Sequence, residues 1–424
     1  KNIEGIEGLN ENDTLEALNK RWKNFCIAEN YEPGSTAKPF TVAAGIESGK
    51  MTGNETYFCD GVQPVGGYNI RCVNRAGHGT ETIAQSISNS CNDALMQMAS
   101  KIGVAEFCKY QSIFNIGYKT GVDLPGEETG LIYSEEKMGP TDLACNSFGQ
   151  NFNVNMVQMV AGFSSLINGG YYYQPHVVKK INSANGGTVE TMDGKLVRQT
   201  ISAATSEKMR SYLFETVQNG TGRSAKVPGY SMGGKTGTAE RVGRDKKNYL
   251  ISFIGYAPAD KPQVVVYVVI DRPNIEPQSQ SKYATTLAKD IMTEVLPYLN
   301  IFPDQEITAE EQAAMNAENG ETENTNGNGE VANEENGESN SENGESNGET
   351  GESNGENAES NGENAGNSGE QDPYYDPETG DNLDPDFSTM GDNAAGETQE
   401  ENTQNSTAEN SESGSREDTT ANNN

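Results

Sequence analysis

Ser35 and Lys38 stand three residues apart in Glu32-Pro33-Gly34-Ser35-Thr36-Ala37-Lys38-Pro39-Phe40-Thr41. On a helix, residues i and i+3 share a face. Lys38 can therefore place its amine beside the Ser35 hydroxyl, the arrangement a serine needs to attack a carbonyl while a local base takes its proton. Two more stretches carry side chains suited to acyl chemistry: Ser90-Cys91-Asn92, and Lys235-Thr236-Gly237 followed by Thr238. Each motif alone is weak. Ser-x-x-Lys arises by accident roughly once or twice in 300 residues, and it recurs here at Ser134/Lys137 and Ser279/Lys282. Lys-Thr-Gly recurs at Lys119-Thr120-Gly121, and Ser-x-Asn at Ser183-Ala184-Asn185.

The elements that would hold these residues separate the copies. Pro33-Gly34 breaks the chain before Ser35, and Pro39 lacks the N–H that a first helical turn leaves unpaired anyway. The helix then continues through Phe40, Val42, Ala43, Ala44 and Ile46, an apolar face that would anchor it in a core. Ser134 and Ser279 sit in charged or polar stretches with no such pattern, and Lys119 falls in a turn. Gly233-Gly234-Lys235-Thr236-Gly237-Thr238-Ala239-Glu240 reads as a strand with little bulk, along which a peptide could lie as an added strand.

The formal charge of -33 is concentrated in one segment. Pro303–Asn424 carries 33 acidic residues against one Arg, which leaves about -1 for Lys1–Phe302 and no electrostatic reason to expect nucleic acid. The tail repeats variants of Glu-Ser-Asn-Gly-Glu and cannot offset its ordering entropy by burial, so disorder is expected over 303–424, with Asp372–Pro377 as a possible docking motif. Residues 1–20 read as a polar leader, 21–302 as the folded domain. No run reaches the roughly 18 apolar residues of a membrane helix. The start at Lys1 suggests a fragment whose anchor or export signal lies upstream.

Six cysteines (26, 59, 72, 91, 108, 145) are too few for a disulfide scaffold and match no zinc spacing, so no metal is assigned. Cys59 and Cys72 flank a Gly-rich turn and could pair in an oxidising compartment; the others read as small buried hydrophobes. His78 and His176 read as structural. The periodicity predicts surface structure over Met51–Gly79 with short strands near 56–58 and 68–70, one helix over Thr82–Ile102, and further helices over 104–115, 154–166, 206–217 and 281–299. Strands are predicted over 231–240, 248–256 and 263–271, with hairpin turns at Asn185-Gly186-Gly187 and Asp193-Gly194. A helical middle followed by sequential strands and a packing helix argues for α+β with an antiparallel sheet.

In order and spacing, Ser35-Thr36-Ala37-Lys38, Ser90-Cys91-Asn92 and Lys235-Thr236-Gly237 resemble the motif trio of the penicillin-binding proteins. Tyr31-Glu32-Pro33-Gly34-Ser35, His78-Gly79-Thr80, Thr120–Glu127, Ser147-Phe148-Gly149-Gln150 and Gly255-Tyr256-Ala257-Pro258 resemble the class B transpeptidases of cell division and spore-cortex synthesis, over about Trp22–Leu299. The resemblance implies an all-helical subdomain beside the sheet, and an upstream membrane anchor and pedestal. It also explains Lys119 as part of a structural segment.

The resemblance further implies a D,D-transpeptidase with no cofactor. Ser35 would be the nucleophile, Lys38 the base and Ser90 the proton relay. Asn92 would hold the substrate's backbone amide, and Lys235, Thr236, Gly237 and Thr238 would bind its C-terminal carboxylate, with the N–H groups of Ser35 and Thr238 as oxyanion hole. Lys38 serves as base only if its pKa falls, which burial beside Lys235 would achieve. Implied partners are D-Ala-D-Ala stem peptides, β-lactams and a membrane glycosyltransferase, at the extracytoplasmic face of the membrane. A D,D-carboxypeptidase, a serine β-lactamase and a non-catalytic β-lactam sensor are the rival readings; the Glu-x-x-Leu-Asn loop of class A β-lactamases is not found.

Overall fold

Strand Tyr249–Ala257 is buried along its whole length and forms the middle of a three-stranded antiparallel sheet. The computed structural model describes residues 10–241 and 248–318. Val264–Asp271 flanks the central strand on one side and Gly233–Glu240 on the other, so Lys235 stands on an edge strand, in register with Ile254. One face of the sheet offers Phe253, Ala257 and Val268 to helix Lys282–Tyr298, through Ala284, Ala288, Met292 and Leu296. The opposite face packs Ile254 and Tyr256 against a larger helical body. The α+β architecture expected from sequence is therefore present, with the sheet between two helical layers.

The Ser35 segment lies at the centre of the larger core. Gly34–Ala37 is a 3₁₀ turn that runs directly into helix Lys38–Glu47, with Pro39 in its first turn. Phe40, Val42, Ala43 and Ala44 are buried there among Leu95, Met98, Phe114, Met159 and Phe163. Burial of Phe40 and Val42 contributes about 1.5–3 kcal/mol each, which helps offset the cost of burying Lys38 one turn away.

Several expectations are corrected. The helix predicted over Thr82–Ile102 is two helices, Ile83–Ser88 and Asn92–Ile102. Between them Ser90 takes φ +55, Thr82 and Gln85 close a capping box on the first helix, and Cys91 caps the second. Met51–Gly79 is not merely surface: its two ribbons, 56–59 with 79–82 and 62–65 with 68–71, bury Cys59, Ile70 and Cys72. Asn185–Gly187 does turn a hairpin, but strand Leu196–Gln199 pairs with Tyr171–Tyr173, so Asp193-Gly194 is a connection and not a hairpin turn. The leader contains helix Glu11–Trp22, capped by Asn10, with acidic residues in the first turn and basic ones in the last, and no buried residue.

The folded region also runs past 302. Asp304 accepts from Ser231 N at 2.6 Å and donates its own N–H to Gly229, and helix Ala309–Glu318 follows. Residues 319–424, including Asp372–Pro377, lie outside the described residues. None of the described helices is long and apolar enough to cross a membrane.

Candidate active site

Three elements bring the predicted residues together. Ser35 comes from the 3₁₀ turn, Ser90 from the left-handed link between two helices, and Lys235 from the sheet edge. Lys38 Nζ donates to Ser90 Oγ at 3.0 Å and also to the Ser90 carbonyl; Lys235 Nζ donates to the same Oγ at 3.0 Å. Both lysines are fully buried. Lys235 Nζ also donates to the Thr236 carbonyl at 3.1 Å and to Thr236 Oγ1 at 3.3 Å. The Lys38 ammonium is thus directed at Ser90 rather than Ser35, although the two side chains were expected to meet.

Burial lowers the pKa of Lys38 from 10.5 to about 8, while the cysteines at 72 and 91 and Glu81 pull the other way. Burial drives Lys235 well below its ordinary value, and the Lys38 charge adds to the effect. Burial beside Lys235 was expected to depress Lys38; burial does dominate, for both lysines, but the charge effect falls on Lys235. Two ammonium groups sharing one hydroxyl acceptor without an acid between them favour a state in which one is neutral.

Glycines set the approach of the 3₁₀ turn to the sheet. Gly34 has φ +56, and a Cβ there would collide with the Thr238 carbonyl. A Cβ on Gly237 would meet Ser252 Oγ and, at 2.9 Å, the Thr36 methyl. Gly34 N donates to Gly149 O at 3.0 Å, and a Cβ on Gly149 would strike the Gly34 carbonyl, so Ser147–Gln150 braces the turn from behind. In a strand the N–H and C=O of one residue point to the same side. Thr238 C=O faces Gly34, so its N–H lies on the free edge of the sheet, toward Ser35.

Asn92 is buried at the first position of its helix. Thr236 and Thr238 alternate with Lys235 and Gly237 along the strand; Thr238 is only partly buried and donates to Ser279 O at 3.4 Å. One contributor went unread in the sequence. Thr221 Oγ1 accepts from Thr236 Oγ1 at 2.9 Å, and Thr221 N donates to Ser88 O at 3.0 Å, so the Gly220-Thr221-Gly222 segment links the sheet edge to the end of helix Ile83–Ser88, just before Ser90.

The second copies of the motifs part from the first by burial. Ser134, Lys137, Lys119, Ser183 and Asn185 are exposed, as is Lys282 beside buried Ser279. The turn after Lys119 is held by buried Glu127, which accepts from Thr120 N at 2.6 Å, Thr120 Oγ1 at 2.7 Å and Gly121 N at 3.0 Å. The cysteines at 59 and 72 are free thiols and not the disulfide considered from sequence. His176 is exposed.

Residues 6–293 match the family model of the penicillin binding protein transpeptidase domain. Stage V sporulation protein D of Bacillus subtilis is 40% identical over 286 residues, which cover 66% of this chain and 44% of that protein. The transpeptidase domain of penicillin-binding protein 3 from Burkholderia pseudomallei superposes with a TM-score of 0.60 at 27% identity, covering 67% of this chain and 84% of the other. Penicillin-binding protein 3 of Mycobacterium tuberculosis, in complex with ampicillin, gives 0.61 at 26% identity over 67% of each chain. The chain spans 39–44% of the length of three of the curated relatives it matches.

Proposed function

The chain belongs to the penicillin-binding protein transpeptidase family, and from that premise we propose that it is a serine D,D-transpeptidase that cross-links peptidoglycan stem peptides and is acylated by β-lactams. The observation that carries this reading is the meeting of two buried lysines on one hydroxyl: Lys38 and Lys235 each reach Ser90 Oγ at 3.0 Å. A stem peptide ending in D-Ala-D-Ala lies along the free edge of Gly233–Glu240, its carboxylate beside Lys235, Thr236 and Thr238 and its backbone amide at Asn92. An arriving carboxylate stabilises the Lys235 ammonium, and that charge in turn favours the neutral Lys38 that acts as base.

Ser35 Oγ then attacks the carbonyl carbon of the penultimate D-Ala as its proton passes to Lys38. The N–H groups of Ser35 and Thr238 receive the oxyanion, a contribution of about 3 kcal/mol per donor. Ser90, held by both lysines, returns the proton to the departing D-Ala amine. A second stem peptide's amine attacks the acyl-enzyme, forming the cross-link and freeing Ser35. A β-lactam acylates the same oxygen, and its ring-opened leaving group stays attached. The family supports a cell-wall role at the extracytoplasmic face of the membrane, beside a membrane glycosyltransferase.

Intact mass after incubation with a penicillin tests this, with Ser35→Ala in parallel. One adduct that persists for many minutes and vanishes in the variant supports the proposal. Rapid loss with drug turnover would make the protein a β-lactamase, and no adduct on a folded sample would refute Ser35. Exchange of D-amino acids into a D-Ala-D-Ala peptide separates transfer from simple carboxypeptidase hydrolysis.

A further inference from the structure

Between the Ser35 turn and the sheet, four hydroxyls from separate stretches of chain meet in an otherwise apolar core. Tyr31 leads into the turn and Thr36 follows Ser35, while Ser252 lies on the central strand and Tyr267 on strand Val264–Asp271. Ser252 stands opposite Gly237, and Tyr267 opposite Ile254, which itself faces Lys235. That register puts Ser252 and Tyr267 on the Lys235 face of the sheet as diagonal neighbours, a separation that a long aromatic side chain spans. Tyr31 is 1% exposed, and its backbone is pinned to Val154 by two hydrogen bonds of 3.0 Å.

The protons in this group run one way. Burial raises the pKa of both phenols above the ordinary 10, so each keeps its proton. Tyr31 Oη donates to Tyr267 Oη at 2.9 Å. Tyr267 then has its own proton to place, and the acceptors beside its oxygen are Thr36 Oγ1 and Ser252 Oγ. Thr36 Oγ1 passes its proton to the Pro33 carbonyl at 2.7 Å, closing a loop around Gly34 and Ser35. Ser252 Oγ is fully buried and has no partner of its own at hydrogen-bond distance. A Cβ on Gly237 would stand 2.9 Å from the Thr36 methyl and 3.2 Å from the Pro33 carbonyl oxygen, and would strike Ser252 Oγ. Thr36 therefore touches both the nucleophile turn and the strand that carries Thr238.

We propose that Tyr267 is a positioning residue for acyl transfer, whose phenol seats Thr36 against Gly237 and so fixes the spacing of the two oxyanion donors, the N–H groups of Ser35 and Thr238. This rests on the acyl-transfer reading of Ser35 and deepens it. Stability alone does not call for the phenols. A buried donor and its acceptor, replaced together by apolar groups of the same shape, leave stability nearly unchanged, and phenylalanine at 31 and 267 would fill the same space. What the hydroxyls add is direction, because a hydrogen bond holds Thr36 in one orientation where apolar packing would let it slip. A misplacement of 1 Å at reacting groups can cost about 100-fold in rate, so a slip of a few tenths of an ångström accounts for about tenfold.

Stopped-flow acylation of the full chain by a fluorescent penicillin separates the noncovalent dissociation constant from the acylation rate constant. Tyr31→Phe/Tyr267→Phe removes both phenol hydroxyls and orphans neither. This variant should melt within about 4 °C of wild type. Its acylation rate constant should fall about tenfold with the dissociation constant within about twofold, and the pH at which the rate levels should stay near about 8, since Lys38 is untouched. Tyr256→Phe deletes a buried hydroxyl from the same sheet face, one that donates to Arg210 O at 3.1 Å, and should keep the wild-type rate constant. Thr36→Ser, which retains the hydroxyl, should acylate within about threefold of wild type, and Thr36→Val at least about tenfold more slowly; combining Thr36→Val with the two phenol changes should slow it no further. A double phenol variant that labels Ser35 at the wild-type rate overturns the inference. So does an equal loss in Tyr256→Phe, or a combined variant in which the losses multiply. Where the double phenol variant does not fold, the Thr36 pair decides, and equal rates in Thr36→Ser and Thr36→Val overturn it. A folded wild-type chain that goes unlabelled at Ser35 defeats the acyl-transfer reading itself, and this inference with it.

Discussion

Replacing Gly34 with alanine tests how the oxyanion edge is positioned. Gly34 has φ +56, where a non-glycine residue costs roughly 1–2 kcal/mol. The added methyl would also overlap the Thr238 carbonyl oxygen and stand 2.9 Å from its carbon and 3.3 Å from Ala239 Cβ. The two nearest are backbone atoms of a paired strand, so the overlap adds the 1–3 kcal/mol typical of overpacking, about 2–5 kcal/mol in all. Gly49 supplies the control. It has φ +72 with nothing within 4 Å of a Cβ, so Gly49→Ala costs the backbone strain alone, about 1–2 kcal/mol. Thermal unfolding should separate the two variants by several degrees, at about 2–4 °C per kcal/mol. The acylation rate constant for a fluorescent penicillin should fall about 100-fold in Gly34→Ala, the loss of roughly one oxyanion donor, and stay near wild type in Gly49→Ala. Equal stability losses in the two variants, with Gly34→Ala acylating within about threefold of wild type, would refute the claim that Gly34 sets the position of Thr238.

The pH profile of acylation should rise about tenfold per unit up to about 8 and then level, as Lys38 gives up its proton; a flat profile would exclude it as base. Because the unfolded chain holds that proton more tightly, this group's contribution to stability increases with pH between about 8 and 10.5, which chemical denaturation at several pH values can follow. Lys235→Ala should lower acylation efficiency by at least about 100-fold in stopped-flow measurements, since Ser90 Oγ loses one of its two donors and the carboxylate its cation. Glu127→Ala should lower unfolding stability by about 1.5–3 kcal/mol in urea while leaving acylation unchanged, because its three acceptor contacts hold only the turn after Lys119.

Much of the site was legible because its signals are local. The Pro33-Gly34 break, the apolar face behind Lys38 and the glycines around Lys235 each report on their own few residues, and each lies as expected. Strands Tyr249–Ala257 and Val264–Asp271 were visible for the same reason, as apolar runs between turn signals, and helix Lys282–Tyr298 by its periodic apolar face. What escaped depends on distant contact. The break at Ser90 interrupts an apolar pattern that stays helical on both sides, and only Cys91 capping Ala94 N marks it. Thr221 matters through Thr236 and Ser88, 15 and 133 residues away. Cys59, Cys72, His78 and Cys91 meet with their donor atoms within 4.8 Å of one another, and no period in the sequence announces it.

Trp22 is the chain's one tryptophan, and it closes a helix that buries nothing, with 70% of its own surface exposed. Intrinsic indole emission therefore starts near its fully hydrated colour in the native state. Melting the core moves that emission little. The eighteen tyrosines, several of them deep in the body like Tyr31, Tyr172 and Tyr256, are the natural chromophores for unfolding, and the tryptophan is a clean local label for the leader helix.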